Sequence, residues 1–232
     1  MKLVLLPGMD GTGDLFTPLL RTLSEFDCEV IALPQTGDQD YSSITKKVRE
    51  KLPEEDFVIV AESFSGPIGA ALAKEGGENL KGIIFVATFL SAPSKLLLAF
   101  AKFLPLKLLS RLPLSAFFHK ALFLGSGASN ELIDLFQSTV DSLPSSLIRA
   151  RLSTMYSLSY DPEVIDLPVA YIQAASDKLV PPTKAVEFSC SFNNIIIKTV
   201  EGPHFILQAK PIECAIVISE LVPLLTRQAT AQ

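Results

Sequence analysis

Ser63 stands in the run Val58-Ile59-Val60-Ala61-Glu62-Ser63-Phe64-Ser65-Gly66-Pro67, where a β-rich segment ends in small residues and a helical pattern follows. A strand-to-helix corner of this kind holds its central residue in a strained backbone conformation and thrusts the hydroxyl outward, where it can attack a carbonyl carbon. The residues two before and two after must be small so that strand and helix pass closely. Ala61 and Ser65 meet that requirement, although glycine is usual at both positions. The same run also suits a plain helix N-cap, so the assignment needs support from elsewhere in the chain.

A serine hydroxyl is a weak nucleophile at neutral pH and needs a base within hydrogen-bond reach. The chain holds two histidines, His119 and His204. His119 lies in an apolar, basic stretch and reads as a packing histidine. His204, in Gly202-Pro203-His204-Phe205, follows the last β-like run on a loop, where open parallel sheets carry their reactive groups. The base in turn needs an acid to hold its tautomer and to stabilise the imidazolium as it forms. Asp177 is placed for this, leaving the end of the run 169–174 just before Lys178-Leu179-Val180-Pro181. Asp161 and Asp166 precede that run and read as cap or turn residues.

The elements that must position these groups follow from the hydrophobic pattern. Short runs rich in Val, Ile, Leu and Phe recur at residues 2–6, 28–33, 57–61, 82–89, 169–174 and 194–200. Helical patterns fall at 15–25, 43–51, 64–74, 183–188 and 206–225. The alternation predicts an α/β protein with a doubly wound, mostly parallel sheet and right-handed crossovers. It stops over residues 91–162, where helical segments are punctuated by Pro93, Pro105, Pro113, Pro144 and Pro162. A core of residues 1–90 and 163–232 with an all-helical insertion at 91–162 is therefore expected.

The chain order Ser63, Asp177, His204 on such a frame resembles the α/β-hydrolase superfamily. Ala61-Glu62-Ser63-Phe64-Ser65-Gly66 looks like its nucleophile elbow, Ser176-Asp177-Lys178-Leu179-Val180-Pro181 like its acid loop, and Gly202-Pro203-His204-Phe205 like its histidine loop. The likeness spans the chain apart from the insertion, which is similar to the family's variable helical lid. It implies the α/β-hydrolase fold and a catalytic triad of Ser63, Asp177 and His204. It also implies an oxyanion hole made by the backbone N–H groups of Met9 and Phe64. Met9 follows the first glycine of Pro7-Gly8-Met9-Asp10-Gly11-Thr12-Gly13, and Pro7 stands where the family usually has histidine. The activity implied is hydrolysis of a carboxylic ester or thioester with an apolar acyl group through an acyl-enzyme. A hydrolase-fold protein that binds a small apolar ligand under the lid without turnover is the other reading.

Other chemistries fit the residues less well. Gly8 and Gly13 have the outer spacing of a phosphate-binding P-loop, but Asp14 stands where lysine is required. Gly-x-x-Gly-x-Gly is not the dinucleotide-binding spacing Gly-x-Gly-x-x-Gly. No cofactor and no metal are expected, because Asp10 and Glu62 lack partners of ligand spacing. Both read as carboxylates at a pocket mouth, Glu62 solvated or hydrogen-bonded beside the elbow. A net charge of −5 argues against nucleic acid as a partner.

Cys28, Cys190 and Cys214 have no metal or redox spacing and read as buried thiols of a reducing compartment. The N-terminal apolar stretch is closed early by Pro7-Gly8, and no apolar run approaches the roughly 18 to 20 residues of a membrane span, so a cytoplasmic location is expected. A hydrophobic content of 48% suffices for one large core.

The charge is unevenly spread. Residues 91–125 hold Lys95, Lys102, Lys107, Arg111 and Lys120 with no acid, giving +5, while the remainder sums to −10. Between Leu96 and Phe123 lie too many Leu and Phe side chains for a short insertion to bury within itself, so some should cover the reacting groups, either simply as the packing face of a lid or, in addition, as the lining of an acyl pocket. The basic rim then suits an acidic acyl carrier or an anionic membrane surface, with Lys95 and Lys102 seven residues apart on one helix face. Oligomeric state is left open.

Overall fold

The structure, a computed structural model, describes residues 1–103, 123–159 and 161–230. Six strands form one sheet among these residues: β1 (Lys2–Leu6), β2 (Asp27–Val30), β3 (Phe57–Glu62), β4 (Leu80–Val86), β5 (Val169–Ala174) and β6 (Ile195–Val200). They lie in the order β2-β1-β3-β4-β5-β6 and every pair is parallel. The expected α/β architecture is therefore present, with β3 and its exit at the centre.

Parallel strands covered on both faces must be apolar on both, and β3 shows this in full, each of its residues being buried. Side chains alternate between two cores. Val4, Leu6, Ile59, Ala61, Ile83 and Phe85 point into one, with α2 (Tyr41–Arg49), α3 (Gly66–Glu75) and α7 (Lys184–Ser191). Leu3, Leu5, Val58, Val60, Ile84 and Val86 point into the other, under α1 (Thr17–Leu20), α8 (Ile206–Ala209) and α9 (Pro211–Thr230).

Several boundaries differ from the sequence expectation for local reasons. The run 82–89 stays apolar, but the strand ends at Val86 because Ala87 takes a left-handed φ of 46° and turns the chain. The pattern 15–25 yields only a short 3-10 turn (Asp14–Phe16) and α1, after which Leu23 is buried in a turn. The helix expected at 206–225 is two helices, broken at Lys210 before Pro211. Helix α2 starts two residues early because the Asp40 carboxylate caps it, accepting from Ser43 N–H at 2.9 Å.

Between β4 and β5 the described residues include three helices, α4 (Lys95–Phe103), α5 (Asn130–Ser142) and α6 (Ser145–Ser157). Lys95 and Lys102 fall on α4, whereas Lys107, Arg111, His119 and Lys120 lie outside the described residues. Helix α6 buries Leu147, Ile148, Arg151, Leu152 and Met155. The expectation of three buried thiols is corrected: Cys214 is buried and Cys28 half-buried, but Cys190 is exposed on α7. No helix among the described residues is long and apolar enough to cross a membrane.

Candidate active site

Ser63 follows β3 directly and opens a 3-10 turn that runs into α3. Its φ is 48°, left-handed and strained for a residue with a Cβ, and two contacts hold its carbonyl there. Gly66 N–H and the Thr88 hydroxyl both donate to Ser63 O. Thr88 is placed by the turn at Ala87 and gripped by the buried Tyr171 hydroxyl, which donates to Thr88 O at 2.8 Å and accepts from Thr88 N–H at 3.2 Å. A Cβ at Gly66 would overlap the Thr88 side chain, so the glycine one place beyond the usual position is required by this brace. At Gly69 the helix passes the strand closely, a Cβ there meeting that of Ala61 at 3.3 Å, which explains the small residue two before the serine.

The three expected polar groups meet at the carboxyl ends of β3, β5 and β6. Ser63 Oγ lies 2.9 Å from His204 Nε2, and His204 Nδ1 lies 2.8 Å from Asp177 Oδ2. The other oxygen of Asp177 accepts from Leu179 N–H at 2.8 Å and Val180 N–H at 2.9 Å, which fixes the carboxylate. The acid and histidine loops are tied together by Ser176 N–H donating to Gly202 O at 2.9 Å. Both His204 and Asp177 side chains are about 5% exposed or less, so their contact is shielded from water. With Asp177 accepting from Nδ1–H, Nε2 is left as the acceptor facing the serine hydroxyl.

The loop after β1 lies beside Ser63, a Cβ on Gly8 falling 3.8 Å from that of Ser63. Its shape is set internally by Gly11 N–H donating to Gly8 O at 3.1 Å and by Asp10 Oδ2 accepting from Thr12 N–H at 2.9 Å and from the Thr12 hydroxyl at 2.8 Å. These bonds use N–H groups other than that of Met9. Ser65, standing where the elbow usually has glycine, donates its hydroxyl to Pro7 O at 2.5 Å and so ties loop to elbow.

A residue not singled out from sequence completes the fixation. Arg151 of α6 is fully buried and donates Nη1 to Met9 O and Asp10 O, each at 2.8 Å, Nη2 to Pro34 O at 3.0 Å and Nε to Gln39 Oε1 at 3.0 Å. Its guanidinium carbon also lies 5.7 Å from the centre of the Phe64 ring. Burial pulls its pKa down to about 10, with Asp10 opposing, so it is still a cation at neutral pH.

Residues 3–209 match the alpha/beta hydrolase fold family. The chain belongs to that family. No curated protein matches it. Among solved structures, this α/β hydrolase is similar to a lipase-esterase related protein from Clostridium acetobutylicum, with 16% identity, a TM-score of 0.76 and 95% of this chain and 94% of that one covered. It is similar also to an esterase from Exiguobacterium antarcticum, with 13% identity, a TM-score of 0.78 and coverages of 96% and 92%. An enol-lactonase from Burkholderia xenovorans shares 13% identity at a TM-score of 0.77, with coverages of 95% and 90%. At these identities the likeness is one of fold.

In this α/β hydrolase Glu62 is not at a pocket mouth, as the sequence suggested, but 3% exposed behind the elbow. Burial pushes its carboxyl up to about 8, the Gln208 amide opposing and the Asp10 charge adding to the rise. Gln208 Nε2 donates to Glu62 Oε2 at 3.2 Å, while Glu62 Oε1 and Gln208 Oε1 have no donor. A proton on Glu62 supplies one, so the neutral acid is the form that suits this setting. Beside His204, Phe205 stacks edge-on against Phe123 and Phe136 of the insertion, and its N–H donates to Phe123 O at 3.2 Å.

Proposed function

We propose that this α/β hydrolase is a serine hydrolase that cleaves a carboxylic ester or thioester with an apolar acyl group. The observation that carries the reading is the relay of 2.9 and 2.8 Å from Ser63 through His204 to Asp177, with the serine on a left-handed corner. Ser63 Oγ attacks the carbonyl carbon while His204 Nε2 takes its proton, and Asp177 holds the imidazole and stabilises its positive form. The tetrahedral oxyanion is held by Met9 and Phe64 N–H. Phe64 lies in the first turn of a helix, where backbone N–H groups have no intrahelical acceptor. The imidazolium then protonates the leaving group, and water, activated by the same base, releases the acid from the acyl-enzyme.

The insertion, residues 91–162, acts in this reading as a lid. Its support is the packing of Phe123 and Phe136 on Phe205 and the reach of Arg151 into the loop after β1. The Leu and Phe content of residues 96–123 favours a carbon-rich acyl chain. Its basic residues suit an anionic carrier or surface as the source of that chain.

A panel of p-nitrophenyl esters of increasing chain length, run beside acyl thioesters, tests the proposal together with fluorophosphonate labelling. Activity and adduct should both vanish in Ser63→Ala, with kcat/KM lowered at least about 10⁴-fold and folding intact. Full activity in that variant, or tight binding of an apolar ligand with no adduct in the wild type, would sink it.

A further inference from the structure

We propose that Arg151 is a positioning residue that sets the oxyanion loop from the insertion, an inference that rests on the serine-hydrolase reading above. The loop after β1 lacks the histidine usual at position 7, and a proline there has no side-chain donor. Arg151 supplies what is missing. Its Nη1 takes the carbonyls of both Met9 and Asp10, so the two peptide planes that follow the proposed donor are held by one planar, charged group. The Gly8 carbonyl is held separately by Gly11 N–H. In a trans peptide N–H and C=O point oppositely, so that bond directs Met9 N–H away from the interior of the turn.

The same guanidinium lies over the ring of Phe64, the residue bearing the second proposed donor. Phe64 is fully buried and packed against Tyr41 with ring centres 5.0 Å apart, the two rings tilted by 30°, so its backbone is held from the side-chain end. One group therefore touches both residues that bear the donors. Gln39 completes the setting, accepting from Arg151 Nε while its own amide donates to Pro34 O at 3.1 Å and Gly37 O at 3.2 Å. The space around the guanidinium is tight enough that a Cβ on Gly11 would overlap it. A bare anion-binding role does not fit, because the guanidinium is fully buried and already donates to four protein oxygens.

The test compares wild type with Arg151→Met, Arg151→Lys and Gln39→Met, the last weakening the grip without leaving a cavity at 151. Measurements are kcat and KM for a p-nitrophenyl ester, affinity for an alkylboronic acid that forms a tetrahedral anion on Ser63, and affinity for an unreactive ether analogue. Arg151→Met should lower kcat roughly 10²-fold, as loss of one oxyanion donor does, and weaken the boronate by a similar factor. KM and ether affinity should stay within about twofold. Arg151→Lys should recover part of the loss, and Gln39→Met should show a smaller loss shared equally by kcat and boronate.

The proposal is overturned if the variants lose thermal stability while kcat per folded site and boronate affinity are unchanged, or if the loss falls on KM and the ether alike. Should Arg151→Met not fold, the Gln39→Met comparison alone decides by the same criteria. A wild type whose turnover does not depend on Ser63 would instead overturn the catalytic reading on which this inference rests.

Discussion

Glu62 is a residue whose proton affinity the fold changes. Unfolded, its carboxyl titrates at its ordinary 4.5; folded, burial holds the proton to about 8. Between those values the native state binds more proton than the unfolded one, so the contribution to stability is complete below 4.5 and is lost as pH rises through 8. Replacing Glu62 by Gln installs a permanent donor for Gln208. We expect the stability advantage of Glu62→Gln to grow from about pH 4.5 to about 8 and to level off above that, a rise on the order of 5 kcal/mol, as read by thermal unfolding. Parallel curves for the two proteins would contradict this. Phe205 offers a second residue-scale test. Phe205→Ala should cost about 2 to 3 kcal/mol by loosening the Phe123 and Phe136 contacts, and should lower kcat because His204 is its neighbour.

At the scale of elements, the elbow is held by a strand end that turns sharply. Ala87 and Thr88 brace Ser63 from β4, so the strain at the serine has a partner on the adjacent strand. Gly66→Ala should therefore destabilise by about 1 to 3 kcal/mol and reduce turnover, the new methyl displacing Thr88. Combined with Thr88→Ala, the loss should be less than the sum of the two single changes, a coupling that a double-mutant cycle measures. These elements differ in how far they were legible. Strands β1 and β5 could be read residue for residue because buried parallel strands are unbroken apolar runs. The end of β4 could not, since Ala87, Thr88 and Phe89 continue the run and only the backbone turn stops it. Arg151 belongs to no catalytic motif, and Ser145-Ser146-Leu147-Ile148-Arg149-Ala150-Arg151 has the composition of a solvated helix face. Its position four residues after Leu147 and four before Met155, both buried, was the available sign that it faces inward. The burial of Glu62 is not legible in the sequence, because a carboxylate beside a nucleophile ordinarily meets solvent. Only the packing of Gln208 against it shows otherwise.

Across the whole molecule, two cores on either side of one sheet place the greatest protection at the middle strands. Amide exchange should be slowest in β3 and β4 and faster in the edge strands β2 and β6, whose residues are partly exposed. Uniform protection across the sheet would argue against this ranking. The helical segment between β4 and β5 is joined to the sheet at distinct points. Glu187 accepts from Leu90 and Ser91 N–H at 3.1 and 3.0 Å at its entry, Phe205 packs against Phe123 and Phe136, and Arg151 is clasped by the loop after β1. The last junction constrains engineering. A chimera that borrows a foreign cap to change substrate range would discard the guanidinium and take its hydrogen bonds from the carbonyls of Met9, Asp10 and Pro34 in the receiving scaffold. Grafting should succeed only when the middle turn of α6 travels with its host, or when a side chain at position 7 is restored to do the same task.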